Sequence, residues 1–121
     1  MKIRIKGNSV RFRLTKTEVE TFCKEGFYAE STTFANNTLV YCLKAKAGIE
    51  ELEANFLNNR ITIYMPQEAL STWANSNLIG YRNAVDWNDT STLSLLVEKD
   101  FSCLDNTVED QSDNYPNPKL S

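Results

Sequence analysis

Three times before Pro66 the sequence alternates apolar and polar residues on both sides of a two-residue corner: Gly7-Asn8, Asn36-Asn37 and Asn58-Asn59. Alternation of period two puts one set of side chains on each face of a strand, and corner residues that tolerate positive φ turn the strand back on itself. A chain patterned in this way must bury the apolar faces of its hairpins, so it is a sheet protein first. In MKIRIKGNSVRFRL, Gly7 leads the corner as a type II′ turn requires. That register sets Ile5 against Val10 and Ile3 against Phe12, with Leu14 on the same face. The opposite face carries Lys6 and pairs Arg4 with Arg11 and Lys2 with Arg13, like charges directly across from each other, which is destabilising.

The second hairpin, FYAESTTFA and TLVYCLKAK around Asn36-Asn37, is expected to pair Phe34 with Leu39 and Thr32 with Tyr41. Leu39, Tyr41 and Leu43 then face the core, while Ser31, Thr33, Cys42, Lys44 and Lys46 face away; Glu30 falls on the apolar side, against the pattern. The third, ELEANFLNNRITIYM, sets Leu52, Ala54 and Phe56 against Ile61, Ile63 and Met65, and leaves Glu51, Glu53, Asn55, Arg60, Thr62 and Tyr64 on its polar face.

Between hairpins, Thr15 and Glu18 form a capping box ahead of Val19, Phe22 and Cys23 at helical spacing, and Gly26 ends that helix. Pro66 is placed as the first residue of a second helix, with Ala69, Leu70 and Trp73 as its buried stripe. Strands are expected near LIGYRNAV and TLSLLVEKD, separated by the turn-like DWNDTS. The segment NTVEDQSDNYPNPKLS has few apolar residues and reads as an irregular acidic tail, so the domain is set at 1–104 and the tail at 105–121. Tyr115 is a candidate to pin that tail to the domain.

The halves correspond. Val10, Phe12 and Leu14 before the first helix match Ile61, Ile63 and Met65 before the second, and Val19 and Phe22 match Leu70 and Trp73. The expected fold is therefore α+β: a mostly antiparallel sheet, curled or closed into a barrel from two strand-helix-strands repeats, with two short helices. Two unrelated strand-helix units of one α+β domain would align in the same way.

Composition narrows the chemistry. Histidine is absent from the 121 residues, which removes His-activated nucleophiles and every His-containing metal site. The three cysteines, Cys23, Cys42 and Cys103, form no CxxC pair and suit reduced thiols in the cytoplasm. Without histidine, Cys103 is read as a buried structural thiol rather than a nucleophile. No apolar stretch approaches the roughly 20 residues that span a bilayer, and the opening segment lacks the apolar run of a secretory signal, so no membrane partner is expected. The sequons at Asn36 and Asn88 then carry no glycan. A net charge of -3 does not suggest nucleic acid as a partner.

The opening MKIRIKGNSVRFRLT and the closing VEKDFSCLD with EDQSDNYPNP resemble a small bacterial family of uncharacterised proteins. That resemblance brackets nearly the whole chain and implies one bacterial domain, with no catalytic residues to carry over. The repeated strand-helix-strands order also resembles the CYTH or triphosphate-tunnel fold, a wide antiparallel barrel that holds phosphates with Lys and Arg and a metal with carboxylates. KIRIK stands where that family carries ExExK.

The candidate site is the polar sheet face. Arg4, Lys6, Arg11, Arg13, Lys44, Arg60 and Arg82 would converge on a small phosphorylated or carboxylated ligand if the sheet curls, since guanidinium forks suit such oxygens. An ordinary wet sheet face covered by long charged side chains gives the same pattern. No cofactor is called for on this reading; in its enzyme version, a Mg²⁺-dependent phosphohydrolase, Glu51, Glu53 or Glu98 would hold the metal. The acidic stretch Asp105–Asp113 lacks the fixed glycine and terminal glutamate of an EF-hand loop. A third reading is an interaction or dimerisation module that uses a sheet edge or the Trp87 loop, with no small ligand.

Overall fold

The first hairpin, β1 (Lys2–Ile5) and β2 (Ser9–Leu14), has the expected register: Ile3 opposite Phe12, Ile5 opposite Val10, Arg4 opposite Arg11. This is a computed structural model; it describes residues 1–88, 91–101, 113 and 115, with 87 and 88 described by backbone alone. Gly7 takes φ of 53° at the first corner position. Thr15 caps α1 (Lys16–Glu25): its hydroxyl accepts from the Glu18 N–H while the Glu18 carboxylate accepts from the Thr15 N–H. Gly26, at φ of 76°, closes the helix and donates its N–H to the Phe22 carbonyl.

In the second hairpin, β3 (Phe27–Thr33) and β4 (Thr38–Lys46), the register differs from expectation. Thr32, not Phe34, stands opposite Leu39, and Glu30 stands opposite Tyr41. Residues 34–37 form a longer loop closed by a hydrogen bond from the Phe34 N–H to the Asn37 carbonyl, and among the described non-glycine residues positive φ is confined to Asn58 and Asn59. A slide of even parity leaves every side chain on its expected face. The third hairpin, β5 (Glu53–Leu57) and β6 (Arg60–Pro66), turns at Asn58 and Asn59, whose φ values of 53° and 62° are those of a type I′ corner.

Two further expectations shift. Pro66 does not open a helix: it ends β6 opposite Lys46, and α2 is the short Ala69–Thr72. The turn expected across DWNDTS is tighter, because β7 (Gly80–Asn88) continues through a bulge at Asp86/Asn88 and β8 (Ser91–Lys99) starts at Ser91.

The strands form two four-stranded sheets, β1-β2-β8-β7 and β3-β4-β6-β5, which do not close into the barrel that the triphosphate-tunnel resemblance implies. Each is antiparallel at its edges and parallel at its centre, where β2 runs beside β8 and β4 beside β6. Each sheet thus takes one hairpin from each half of the chain. Read from its β5 end, as β5-β6-β4-β3, the second sheet matches β1-β2-β8-β7 strand for strand, so the halves exchange about an approximate twofold axis.

The inward faces pack on one core: Phe12, Leu14, Leu95 and Val97 from one sheet, Leu43, Ile63 and Met65 from the other. Phe12 and Tyr41 meet across the gap with ring centres 6.1 Å apart. The helices cover one end, where Val19, Phe22, Ala69 and Trp73 join the core. Phe22 and Trp73, equivalent in the two halves, meet edge-on at 6.3 Å, which puts the axis between them.

The polar residues on the inward faces tie the edges of the sandwich together. Glu30 accepts from the Met1 ammonium, as does Glu18, and the Tyr41 hydroxyl donates to the Met1 carbonyl. At the equivalent place in the other half, Asn83 accepts from the Leu52 N–H at 2.8 Å and donates to the Leu52 carbonyl at 3.0 Å. Glu30 thus has a partner that the alternation pattern cannot reveal.

Asp113 accepts from the Lys16 and Thr17 N–H groups and the Thr17 hydroxyl, and the Tyr115 ring meets Phe101 at a tilt, centres 5.9 Å apart, with the Lys99 ammonium over it at 4.9 Å. These two described residues of the tail lie against the helical end. Cys103, the Trp87 side chain, the sequon at 88–90 beyond Asn88, and the tail at 105–112 and 116–121 lie outside the described residues. No helix among the described residues is long and apolar enough to cross a membrane.

Candidate functional site

The pairing registers place each basic residue. On the outward face of the first sheet, Arg4, Arg11, Leu96 and Arg82 form one row across β1, β2, β8 and β7. Lys2, Arg13, Glu98 and Gly80 form the next row, and Ser9 and Ser94 lie in the row beyond Arg11. Five of the seven expected ligand-binding residues, Arg4, Lys6, Arg11, Arg13 and Arg82, therefore belong to this sheet. Lys44 and Arg60 do not join them. They lie on the outward face of the other sheet, across the core, flanking a separate hollow of about 250 Å³ over Cys42 and Thr62. Alternation reports which face a residue takes but not which sheet its strand enters, so one expected patch becomes two.

Arg4, Lys6, Ser9, Arg11 and Leu96 line a hollow of about 220 Å³. Its electrostatics are unbalanced. Glu98 receives Arg13 Nε at 2.8 Å and lies 3.6 Å from Arg11, so one carboxylate serves two guanidiniums. Lys2 pairs with the buried Asp100 at 3.3 Å. No carboxylate among the described residues pairs with Arg4 or Lys6. The side chains are held by backbone placement: β2 is hydrogen-bonded on both sides, and the Lys6 N–H donates to the Ser9 carbonyl at 3.1 Å to close the turn.

The carboxylates considered for a metal are not brought together. Glu98 is engaged by the arginines; Glu53 accepts from Lys46 at 2.8 Å on the other sheet; Glu51 is exposed in the connection before β5. Among the described residues no group of three or more Cys, Asp or Glu is placed to hold a metal ion. Burial pushes the Cys23 thiol up, and Cys42 is buried with its sulfur 3.2 Å from the Thr62 hydroxyl.

A larger space escapes the sequence reading. At the end of the sandwich opposite the helices, the two sheets part around a cleft of about 620 Å³ walled by apolar side chains. Its residues carry the same alternation as the packed core, so no sequence signal separates them from it.

The model of DUF7009, described as a family of unknown function, matches residues 1–119. The chain belongs to this family. The match covers both segments that resemble an uncharacterised family. No curated protein and no solved structure matches this DUF7009 chain.

Proposed function

We propose that this DUF7009 protein binds a small anionic ligand, phosphorylated or carboxylated, on the outward face of the β1-β2-β8-β7 sheet, with Arg4, Lys6 and Arg11 as its contacts. One observation carries the reading: Arg4 and Arg11 are direct cross-strand partners, with Lys6 beside them and, among the described residues, only the shared Glu98 paired with Arg11. Like charges held opposite one another oppose folding, and an anion between them turns that repulsion into paired, charge-assisted hydrogen bonds. A local cationic surface concentrates anions even on a chain of net charge -3. Arg82, two strands beyond Arg11 and so about 10 Å away, would reach only a longer ligand. A bacterial, cytoplasmic setting is part of the proposal; the unpaired thiols of Cys23 and Cys42 support it.

Thermal unfolding at low ionic strength, with inorganic pyrophosphate and with citrate, tests the reading. A ligand that binds only the folded state raises Tm. The rise should vanish in Arg4→Gln/Arg11→Gln and persist in Lys44→Gln/Arg60→Gln. No rise with either anion, or a rise that the Arg4/Arg11 pair does not control, contradicts it. Phosphate release from pyrophosphate with added Mg²⁺ would extend the reading to a hydrolase.

A further inference from the structure

We propose that the cleft at the end opposite the helices is a second binding site, for a small uncharged molecule with an aliphatic body. Equivalent residues of the two halves face each other across it: Ile5 and Phe56, Val10 and Ile61, Leu39 and Leu93. The cleft therefore lies on the approximate twofold axis, at the far end from the Phe22–Trp73 contact. The axis explains why one end is full and the other open. Stacked sheets lie about 10 Å apart, a distance that large rings fill and short side chains do not. Near the helices the rings of Phe12 and Tyr41 meet across the gap and Trp73, at the end of α2, packs edge-on against Tyr81 of β7, whereas the opposite end is lined chiefly by valine, leucine and isoleucine.

The lining decides the ligand class. Apart from Asn8 and Asn55 every lining residue is apolar, and none is charged. The Asn8 side-chain amide already donates to the Thr92 carbonyl, and the Asn8 backbone carbonyl accepts from the Ser94 N–H. An ionic headgroup inside the cleft would find no counter-charge. The floor, Ile63 and Leu95, is 0% and 1% exposed, while Ile5 and Phe56 at the mouth are 57% and 68% exposed. A volume of about 620 Å³ falls in the range of small-molecule sites and corresponds to roughly twenty waters of liquid volume. Water there has few hydrogen-bonding partners, so its displacement by an apolar body is favourable. A second copy of the chain is a poorer occupant: an isologous contact sets the same patch on both partners, and a hollow laid on itself encloses a larger void.

Titration calorimetry with hexanol, heptanol and octanol tests this on the full chain. The expected result is saturable binding of one molecule per chain that tightens about fourfold per added methylene. Ala54→Trp fills one wall of the cleft and should weaken octanol binding at least tenfold with the circular dichroism spectrum unchanged; Leu93→Trp, on the opposite wall, serves if that variant does not fold. Arg4→Gln/Arg11→Gln should bind octanol as the unaltered chain does, which separates this site from the anion hollow. Absence of saturation up to the solubility of octanol, undiminished binding in a folded tryptophan variant, or a sedimenting dimer that takes up no alkanol would overturn the proposal.

Discussion

Glu18 sits where three demands meet: it closes the capping box of α1, receives the Met1 ammonium and accepts from the Tyr28 hydroxyl at 3.2 Å. Burial alone would raise its pKa, but the ammonium, the Thr15 N–H and the Tyr28 hydroxyl together hold it below its ordinary value of 4.5. A carboxylate whose pKa is depressed on folding stabilises the fold above its unfolded pKa, and that contribution is lost as pH falls through the folded value. The stability difference between the unaltered chain and Glu18→Gln, measured by urea unfolding, should therefore be constant above about pH 5.5 and shrink below 4.5; a difference independent of pH contradicts the assignment. Asn83 makes the matching contact in the other half. Asn83→Ala removes the hydrogen-bond partner of both the Leu52 N–H and the Leu52 carbonyl and is expected to cost about 2 kcal/mol in the same assay. An effect within about 0.5 kcal/mol would mean that water replaces the amide.

Individual elements show how far local pattern reaches. Thr15→Ala should destabilise by about 1 kcal/mol, because the cap is formed with both reciprocal bonds. Gly80 presents a sharper constraint: a Cβ there would meet the Val97 carbonyl oxygen at 2.1 Å and the Glu98 Cα at 2.7 Å. Those atoms belong to the neighbouring strand's backbone, so Gly80→Ala must displace β7 from β8, with an expected loss of at least about 2 kcal/mol and a lower Tm. The first and third hairpins were legible because Gly7 and Asn58-Asn59 supply the positive φ that a two-residue corner needs. Asn36-Asn37 looked equivalent, but the chain spreads that turn over residues 34–37. Pro66 read as a helix start because its missing N–H suits one; it also suits the last position of β6, where the Gln67 N–H rather than its own reaches Lys46. The helix that follows is correspondingly short.

The whole molecule is governed by pairings that alternation cannot encode. The parallel contacts of β2 with β8 and β4 with β6 join residues far apart in the chain and interlock its halves. The same ignorance divided the candidate site: Arg4 and Arg60 share parity, but their strands enter different sheets. The repeat was legible from Val10, Phe12 and Leu14 against Ile61, Ile63 and Met65, whereas the exchange of hairpins between halves was not. Because each sheet needs both halves, fragments 1–47 and 48–121 should each remain unfolded alone, and the full chain should melt in one transition seen alike by far-ultraviolet dichroism and tryptophan fluorescence. Two separated transitions, or a folded fragment, would show that a half can bury its apolar face without the other.

Amide chemical shifts followed during titration with inorganic pyrophosphate test the anion site most directly. The account predicts saturable shifts clustered at Arg4, Lys6, Ser9 and Arg11, fading as salt is raised, with Lys44, Arg60 and Thr62 unmoved. Shifts clustered on the second sheet instead, or none at any pyrophosphate concentration, would contradict it.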